Sequence, residues 1–513
     1  MSAGGKKVLV QAPVVGIDVG LKASRVAVKR NENIEIIANP DGNHATPSVV
    51  SFNDSEILVG DVALASAATN PTNTVVECKR MLGATVAELE ADAQRWKFDV
   101  GAGKDGKAAA RVQYKRAEAK FTGEQLCGQI IANLKATAEA YVHDGVKFCV
   151  LTAPAFFSDK QRAALANAAN SAGLQVLRII SDPVAAAIAY GLDTEQHVDA
   201  TFAVFSMGAR TCEVAVLQSR GGLLHQISAA SDHSIGGDEV HEFIMNWAMD
   251  EFKKKHKVDP RESKKSVDRF KRASEVAKRQ LSQAAQVRLE VESAHEGIDF
   301  SVMLSALKMN DLISPVVKGI SSLIASALSK AGVAAQDMNK VVLVGGGCRI
   351  PKIQTIVQKA FENAEVCSSL NADEVVVMGA AEQSAALVGC KMHLADATKP
   401  VIEVPVVPRD ICIGTGDGME TALVIPARTA LPCERCMSVD LLDSSQASAL
   451  LQVFEGPPGA AQQDAMVAAL ILEGIDAGPL HVSLHVDVGG GLTLHAKDAS
   501  GAARHSITVP ARE

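Results

Sequence analysis

One pattern occurs twice in this chain and restricts its fold more than any other. Residues 14–28, VVGIDVGLKASRVAV, read as an apolar strand ending in Asp18, a glycine turn at Gly20, and a second strand from about Arg25. Residues 203–216, AVFSMGARTCEVAV, align with it without a gap. Asp18 falls on Ser206, Gly20 on Gly208, and Val26-Ala27-Val28 on Val214-Ala215-Val216. One such unit is an ordinary hairpin. Two copies far apart predict two similar lobes facing one cleft. An acid at the end of a buried strand, with a glycine turn after it, can hold a metal ion and admit a phosphate to backbone N–H groups. The second copy has serine where the first has the acid.

The chain has 513 residues, enough for about three domains. A net charge of -8 argues against a dedicated nucleic-acid binder. One stretch runs against that balance: residues 253–279 hold twelve Lys/Arg and four Asp/Glu, about +8 by that count. A solvated helix face and a direct RNA contact both fit it. No apolar run reaches the roughly 18 residues of a membrane span. Gln11, Pro13 and Asp18 interrupt the N-terminal apolar stretch, which makes it a poor secretory signal. Ten cysteines at irregular spacing suit reduced thiols in the cytosol. Cys433 and Cys436 form the only C-x-x-C, and without a second pair it reads as a chance pair, not a zinc site.

Along the chain, strand, glycine turn and helix recur, which is α/β grammar. Residues 74–83, TVVECKRMLG, read as a helix-like piece presenting Lys79 and Arg80. A helix is expected from Gly123 to about Tyr141. Ser158 and Gln161 form a capping box for a helix that stops at Gly173. Pro183 opens a short helix, with Asp182 before it as a candidate cap. Helical patterns run from about 239 to 283 and from 308 to 331, and residues 287–292 alternate like a strand. TKPVIEVPVVP at 398–408 reads as an extended linker. Beyond it, residues 480–488 alternate strictly and turn at Gly489-Gly490-Gly491, a hairpin signal. The expected organisation is a tail at 1–12, lobes at 13–197 and 198–395, a linker at 396–408 and a β domain at 409–513.

Seven segments extend this reading: GIDVG at 16–20, CKRMLG at 78–83, VLRIISDPVAAAIAYGLD at 176–193, EFKKKHKVD at 251–259, EVAKRQLS at 275–282, EGIDF at 296–300 and VLVGGGCRIPKIQ at 342–354. Through them the chain resembles the heat-shock protein 70 (DnaK-type) chaperone family over nearly its whole length. The resemblance implies an actin-like, two-lobed ATPase domain of duplicated ribonuclease-H-like lobes. A small β-sandwich follows, which in relatives binds extended peptides, and the family's helical lid is not expected. It implies a site for ATP or ADP with Mg2+. Asp18, Gly20, Leu21, Lys22 and Ala23 fall on the first phosphate turn, and Gly208, Ala209, Arg210 and Thr211 on the second. Gly236 and Gly237 fall on a phosphate-side glycine pair. Glu275, Lys278, Arg279 and Ser282 fall where the family grips adenosine, and Gly346, Gly347, Arg349 and Asp373 where it closes over the base. Lys79 and Asp182 fall on the catalytic lysine and glutamate, and Asp18 on the acid that holds the metal through water. The spacing i, i+3, i+4, i+7 puts 275, 278, 279 and 282 on one helix face, which otherwise reads as an exposed charged face.

The phosphate machinery departs from the family. Two threonines are replaced by Leu21 and Lys22. An acid, three glycines and a threonine become Ser206, Gly208, Ala209, Arg210 and Thr211, around Met207. Ala209 and Arg210 obstruct close backbone approach, while Lys22 and Arg210 could offer phosphate a charge. Asp182 is one methylene shorter than glutamate, and a misplacement of about 1 Å costs on the order of 100-fold in rate. These departures, with PRDI at 408–411, resemble the atypical branch of the family in the eukaryotic ribosome-associated complex. The expectation is a cytosolic, ATP-binding chaperone that hydrolyses ATP weakly or not at all. Its expected partners are a zuotin-type J-domain protein, another ATPase chaperone of the family, and, indirectly, the ribosome and nascent chains. No membrane and no sequence-specific nucleic acid are expected. The alternatives are an ATP-cycling chaperone that binds unfolded peptides and, on the same lobes, a sugar kinase.

Overall fold

Each copy of the strand–turn–strand begins a twisted sheet of the same plan in the computed structural model. In the first sheet Val14–Asp18 is central. Ala23–Arg30 and then Asn33–Ile36 pair antiparallel on one side, and Phe148–Ala153 and then Gln175–Ser181 lie parallel on the other. In the second sheet Thr201–Met207 is central. Cys212–Arg220 and Leu223–Asp232 pair antiparallel on one side, Lys340–Val344 and Glu365–Cys367 parallel on the other. Strand order and direction are thus the same in both, as the repeat predicts.

The described residues are 7–510 apart from 31–32, 104–105, 194–199, 221–222, 389–390, 394–406, 408, 416–419, 427–428, 430–432, 442–445, 457–458, 461–464, 476–477, 488–490, 499 and 501–503. The expected linker lies outside them except at Val407. The chain divides into two units, Met1–Val401 and Ile402–Glu513.

In the first unit helices flank both sheets, so the inner strands carry apolar runs and not an alternation. All six residues of Phe148–Ala153 are buried. The helices Gly123–Val142 and Asp159–Ser171 cover the first sheet, and both start with a capping box, Thr122 with Gln125 and Ser158 with Gln161. The lobes meet where the helix Val375–Ala386 crosses Val14–Asp18 and the helix Asp182–Ala189. That crossing needs Gly379, because a Cβ there would lie 1.8 Å from the Ala185 carbonyl oxygen.

Several local expectations are corrected. Residues 74–83 are not a helix: Thr74–Val76 is a strand and Cys78–Met81 a 3-10 turn. The β-branched TVV explains the strand, and Glu77, at φ 55, turns the chain between them. The helical stretch from 239 splits into Gly237–His256 and Lys264–Gln280, with Pro260 in the break. The stretch from 308 splits into Ala306–Leu312 and Ser314–Ala331, the second starting with Pro315 in its first turn. Part of the expected tail is a strand, Lys7–Leu9, paired with Lys391–His393. Among the described residues no single helix is long and apolar enough to cross a membrane.

The second unit is antiparallel throughout. One sheet orders Gly459–Ala460, Glu420–Ile425, Ile411–Thr415, Ser448–Glu455 and Met466–Glu473. The other orders Cys433–Val439, Leu480–Val486, Leu492–Lys497 and Arg504–Val509. The alternation read at 480–488 holds through Val486, with Leu480, Val482, Leu484 and Val486 in the core. Cys433 is buried and Cys436 exposed. Three residues apart on one strand, they point to opposite faces and cannot share a metal ion.

Candidate functional site

Between the two repeat turns lies a cavity of about 1070 Å³ within the first unit. Its floor comes from the turns themselves. Asp18 ends the first central strand, and its Oδ1 accepts a hydrogen bond from Thr152 Oγ1 at 3.3 Å. Gly20, Leu21, Lys22 and Ala23 line the wall beside it. A Cβ on Gly20 would lie 2.1 Å from the Ala23 carbonyl oxygen, so this turn is built for glycine.

The second turn, Gly208, Ala209, Arg210 and Thr211, faces the first across the cavity. It is closed by its own backbone: Gly208 N–H donates to the Thr211 carbonyl at 2.9 Å. The helix Gly237–His256 begins against it. The N–H groups of Gly237 and Asp238 donate to the carbonyls of Gly208 and Ala209 at 2.9 and 2.8 Å. Gly237 lines the cavity; Gly236 does not. A Cβ on Gly236 would lie 2.3 Å from the Ala209 carbonyl oxygen, so this glycine serves the packing beneath the turn.

The two cations expected to face phosphate are already paired. Lys22 Nζ bonds Asp238, across the cavity. Arg210 places Nη1 2.8 Å from Glu77 and Nη2 3.1 Å from Asp92. A guanidinium between two carboxylates has little attraction left for an anion. The charges that sequence offered to phosphate are therefore neutralised from the opposite lobe.

Lys79 and Asp182 also line the cavity. Lys79 is 8% exposed and its Nζ sits 5.6 Å from the Phe157 ring centroid. Asp182 is not a helix cap. It is the first residue of Asp182–Ala189, and its Oδ1 has no partner. Burial, opposed by Lys79 and reinforced by the charge of Asp18, pushes its carboxyl up to about 6.

Sequence reasoning missed Glu213. It stands directly opposite Ser206 in the strand ladder, on the next strand. It is buried, lines the same cavity, and has an unpartnered Oε1. Burial first, then the neighbouring charge of Asp182, raise it to about 8. The second turn therefore has an acid beside the cavity after all, across the ladder from Ser206. The signal was present: a single glutamate inside the apolar run CEVAV. Asp92 gave no such signal in its polar surroundings, and Glu77, although it follows Val75-Val76, reads with Lys79 and Arg80 as part of a charged turn.

The other end of the cavity is polar and ordered. Glu275, Lys278, Arg279 and Ser282 line it. Arg279 bonds Glu275 at 2.7 Å, and Lys278 Nζ donates to the Gly237 carbonyl at 2.7 Å. Burial lowers Lys278 to about 8. Opposite them, Gly346, Gly347, Arg349 and Asp373 line the wall. Arg349 Nη2 lies 2.8 Å from Asp373 Oδ2 and 2.6 Å from Asn371 Oδ1, which holds the guanidinium flat at the rim. A planar cation facing an acid and a hydroxyl suits a purine and its ribose.

The residues fit Mg2+ through water, not by direct ligation. Asp18, Asp182 and Glu213 line one end of the cavity, and two of the three have an unpartnered oxygen. Yet among the described residues no three His, Cys, Asp or Glu side chains converge to bind an ion directly. The basic stretch at 253–279 is partly neutralised by its own surface: Lys253 pairs with Asp259, Lys254 with Glu251 and Arg261 with Asp250.

Residues 14–513 match the pattern of one protein family, described as Hsp70 protein. A heat shock 70 kDa protein of Emericella nidulans is 36% identical over 505 residues, spanning 97% of this chain and 78% of that protein. A heat shock 70 kDa protein of Neurospora crassa gives the same identity and coverage. Heat shock cognate 70 kDa protein 3 of Dictyostelium discoideum is 34% identical, over 96% of this chain and 80% of that protein.

Proposed function

The chain belongs to the Hsp70 family, and we propose that it is an ATP-binding chaperone of that family which holds nucleotide and hydrolyses it slowly or not at all. The observation that carries this reading is the contrast between the two ends of one cavity. The adenosine end presents Glu275, Lys278, Arg279, Ser282 and Arg349 as an ordered polar wall. At the phosphate end, Lys22 and Arg210 are engaged by carboxylates. Binding energy from the adenosine end persists, whereas phosphoryl transfer needs charge placed on the moving phosphoryl group. Mg2+, held through water by Asp18 and assisted by Asp182 and Glu213, would supply charge neutralisation. Lys79 would orient the attacking water, and the short reach of Asp182 weakens that step.

In the cell we place this protein in the cytosol, as the non-cycling member of a ribosome-associated pair with a J-domain protein, supporting a second Hsp70 on nascent chains. The degraded phosphate turn supports this role, because a stable ATP-bound scaffold needs no turnover. A second reading is a conventional ATP-cycling, peptide-binding chaperone, favoured by relatives that carry ordinary heat shock 70 kDa names. Calorimetry with ATP and a steady-state ATPase assay, with and without a J-domain, separate them. Tight binding with no J-domain stimulation supports the first reading. Stimulation of several-fold by J-domain and peptide supports the second. Absence of ATP and ADP binding removes both.

A further inference from the structure

Each of the two repeat turns sends a cation across the cleft into the other lobe. Arg210, in the second lobe's turn, engages Glu77 and Asp92 of the first lobe. The three side chains are 8%, 12% and 13% exposed, so this triad is largely withdrawn from water. Glu77 is held twice, because Trp96 donates its Nε1–H to the same carboxylate oxygen at 3.1 Å. Its backbone is left-handed, a conformation that a non-glycine residue keeps only where its surroundings enforce it. Lys22, in the first lobe's turn, engages Asp238 of the second lobe. Arg80 adds longer hydrogen bonds from the first lobe to the carbonyls of Arg210 and His233, both at 3.4 Å.

We propose that these reciprocal ties hold the cleft closed in the absence of nucleotide, so that nucleotide enters and leaves only when the ties open. The second clause rests on the nucleotide reading above; the first does not. A ligand shifts an equilibrium only by its differential affinity for the two states. Where the lobes are bridged by a ligand's own phosphates, the ligand drives closure. Here the bridging charges are side chains, so closure needs no charge from a ligand. Opening would part Arg210 from Glu77 and Asp92, leaving Asp92 only Arg80 at 3.9 Å and Glu77 only the Trp96 N–H, so it costs the two closest ion pairs of a site largely withdrawn from water. The ties also reach the chemistry. Glu77 lies two residues before Lys79 and leads directly into its turn, so Arg210 acts as a positioning residue for Lys79 from the other lobe.

The chain has two tryptophans, and Trp96 touches the tie itself. In full-length protein carrying Trp247→Phe, stripped of nucleotide, acrylamide quenching of Trp96 reads whether the cleft is closed. Trp96 is expected to be protected without nucleotide, and ATP should change its quenching constant little. Arg210→Gln should raise that constant roughly threefold and speed exchange of the 74–82 amides on the order of 10-fold, as local opening becomes cheaper. If Arg210→Gln does not fold, as judged by circular dichroism, Lys22→Gln carries the same expectation in the same two readouts with a smaller change. Free quenching of Trp96 without nucleotide, with protection appearing only on adding ATP, overturns the proposal. So do substitutions at Arg210 and Lys22 that fold and leave both readouts unmoved. Calorimetry on the same samples is scored separately: protected Trp96 with no ATP binding sinks the nucleotide reading and leaves the ties standing.

Discussion

The first repeat turn follows Val14–Asp18 and the second follows Thr201–Met207, at the same place in sheets of the same order. In the first, Gly20 has no room: a Cβ would meet the Ala23 carbonyl at 2.1 Å. In the second, a Cβ on Gly208 would find its nearest neighbour, the Thr211 carbonyl oxygen, at 3.7 Å. The first keeps its acid at the strand end, steadied by Thr152. The second has serine there, with Glu213 opposite it across the ladder. The sheet plan has thus been kept in both copies, while the turns differ in backbone and the side-chain chemistry is kept in one. The scaffold and the phosphate chemistry are separable properties of this fold.

Substituting the two glycines tests that separation most sharply. Gly20→Ala is expected to cost about 3 kcal/mol in urea unfolding, because the obstructing atom is backbone and cannot step aside. Gly208→Ala should cost under about 1 kcal/mol, since the contact is ordinary packing. Equal losses at the two sites would erase the distinction. Next in size is repair of the second turn. The triple change Ser206→Asp, Ala209→Gly and Arg210→Gly should raise single-turnover ATP hydrolysis by roughly 10-fold, as preorganised contacts to phosphate return. An unchanged rate would move the defect to Asp182.

A pH scan sharpens the comparison further. Glu213 is raised in the folded state from an ordinary 4.5 to about 8. The native protein therefore holds a proton there that the unfolded chain releases above about 4.5. Its contribution to stability is complete below that value and is lost as pH rises towards 8. Melting temperature should fall between pH 6 and 8.5, and Glu213→Gln should flatten the fall. The smallest effect is expected at Lys22→Gln. Its side chain is 42% exposed, and a partly solvated pair contributes under about 1 kcal/mol to unfolding free energy.

Local structure was readable wherever its cause was local. The capping box of Ser158 and Gln161, the alternation ending at Val486 and the repeat itself all depend on neighbours in sequence. The TVV strand was misread because a helix-like KRML follows it, and the left-handed Glu77 that separates the two leaves no mark in composition. The residues expected from the family resemblance line one cavity, Gly236 excepted. What the resemblance did not carry was who neutralises whom. Lys22 meets Asp238 from 216 residues away, and Arg210 meets Glu77 from 133. Such pairings have no period or motif. Glu213 falls between these cases, legible as a charge in an apolar strand but assigned to the cleft only by the ladder opposite Ser206.

The helix Gly237–His256 gives its first two N–H groups to the second turn, so turn and helix move as one body. Twenty residues make a rod about 30 Å long, and a tilt of about 5° at its base swings the far end by about 2.6 Å. That far end carries Lys253, Lys254 and Lys255. A shift at the cavity too small to notice locally is thereby magnified into a displacement of surface charge. The helix works as a lever, with its fulcrum at the altered turn, its inner face of Ile244, Ala248 and Phe252 carrying the lobe core with it, and its lysines at the surface.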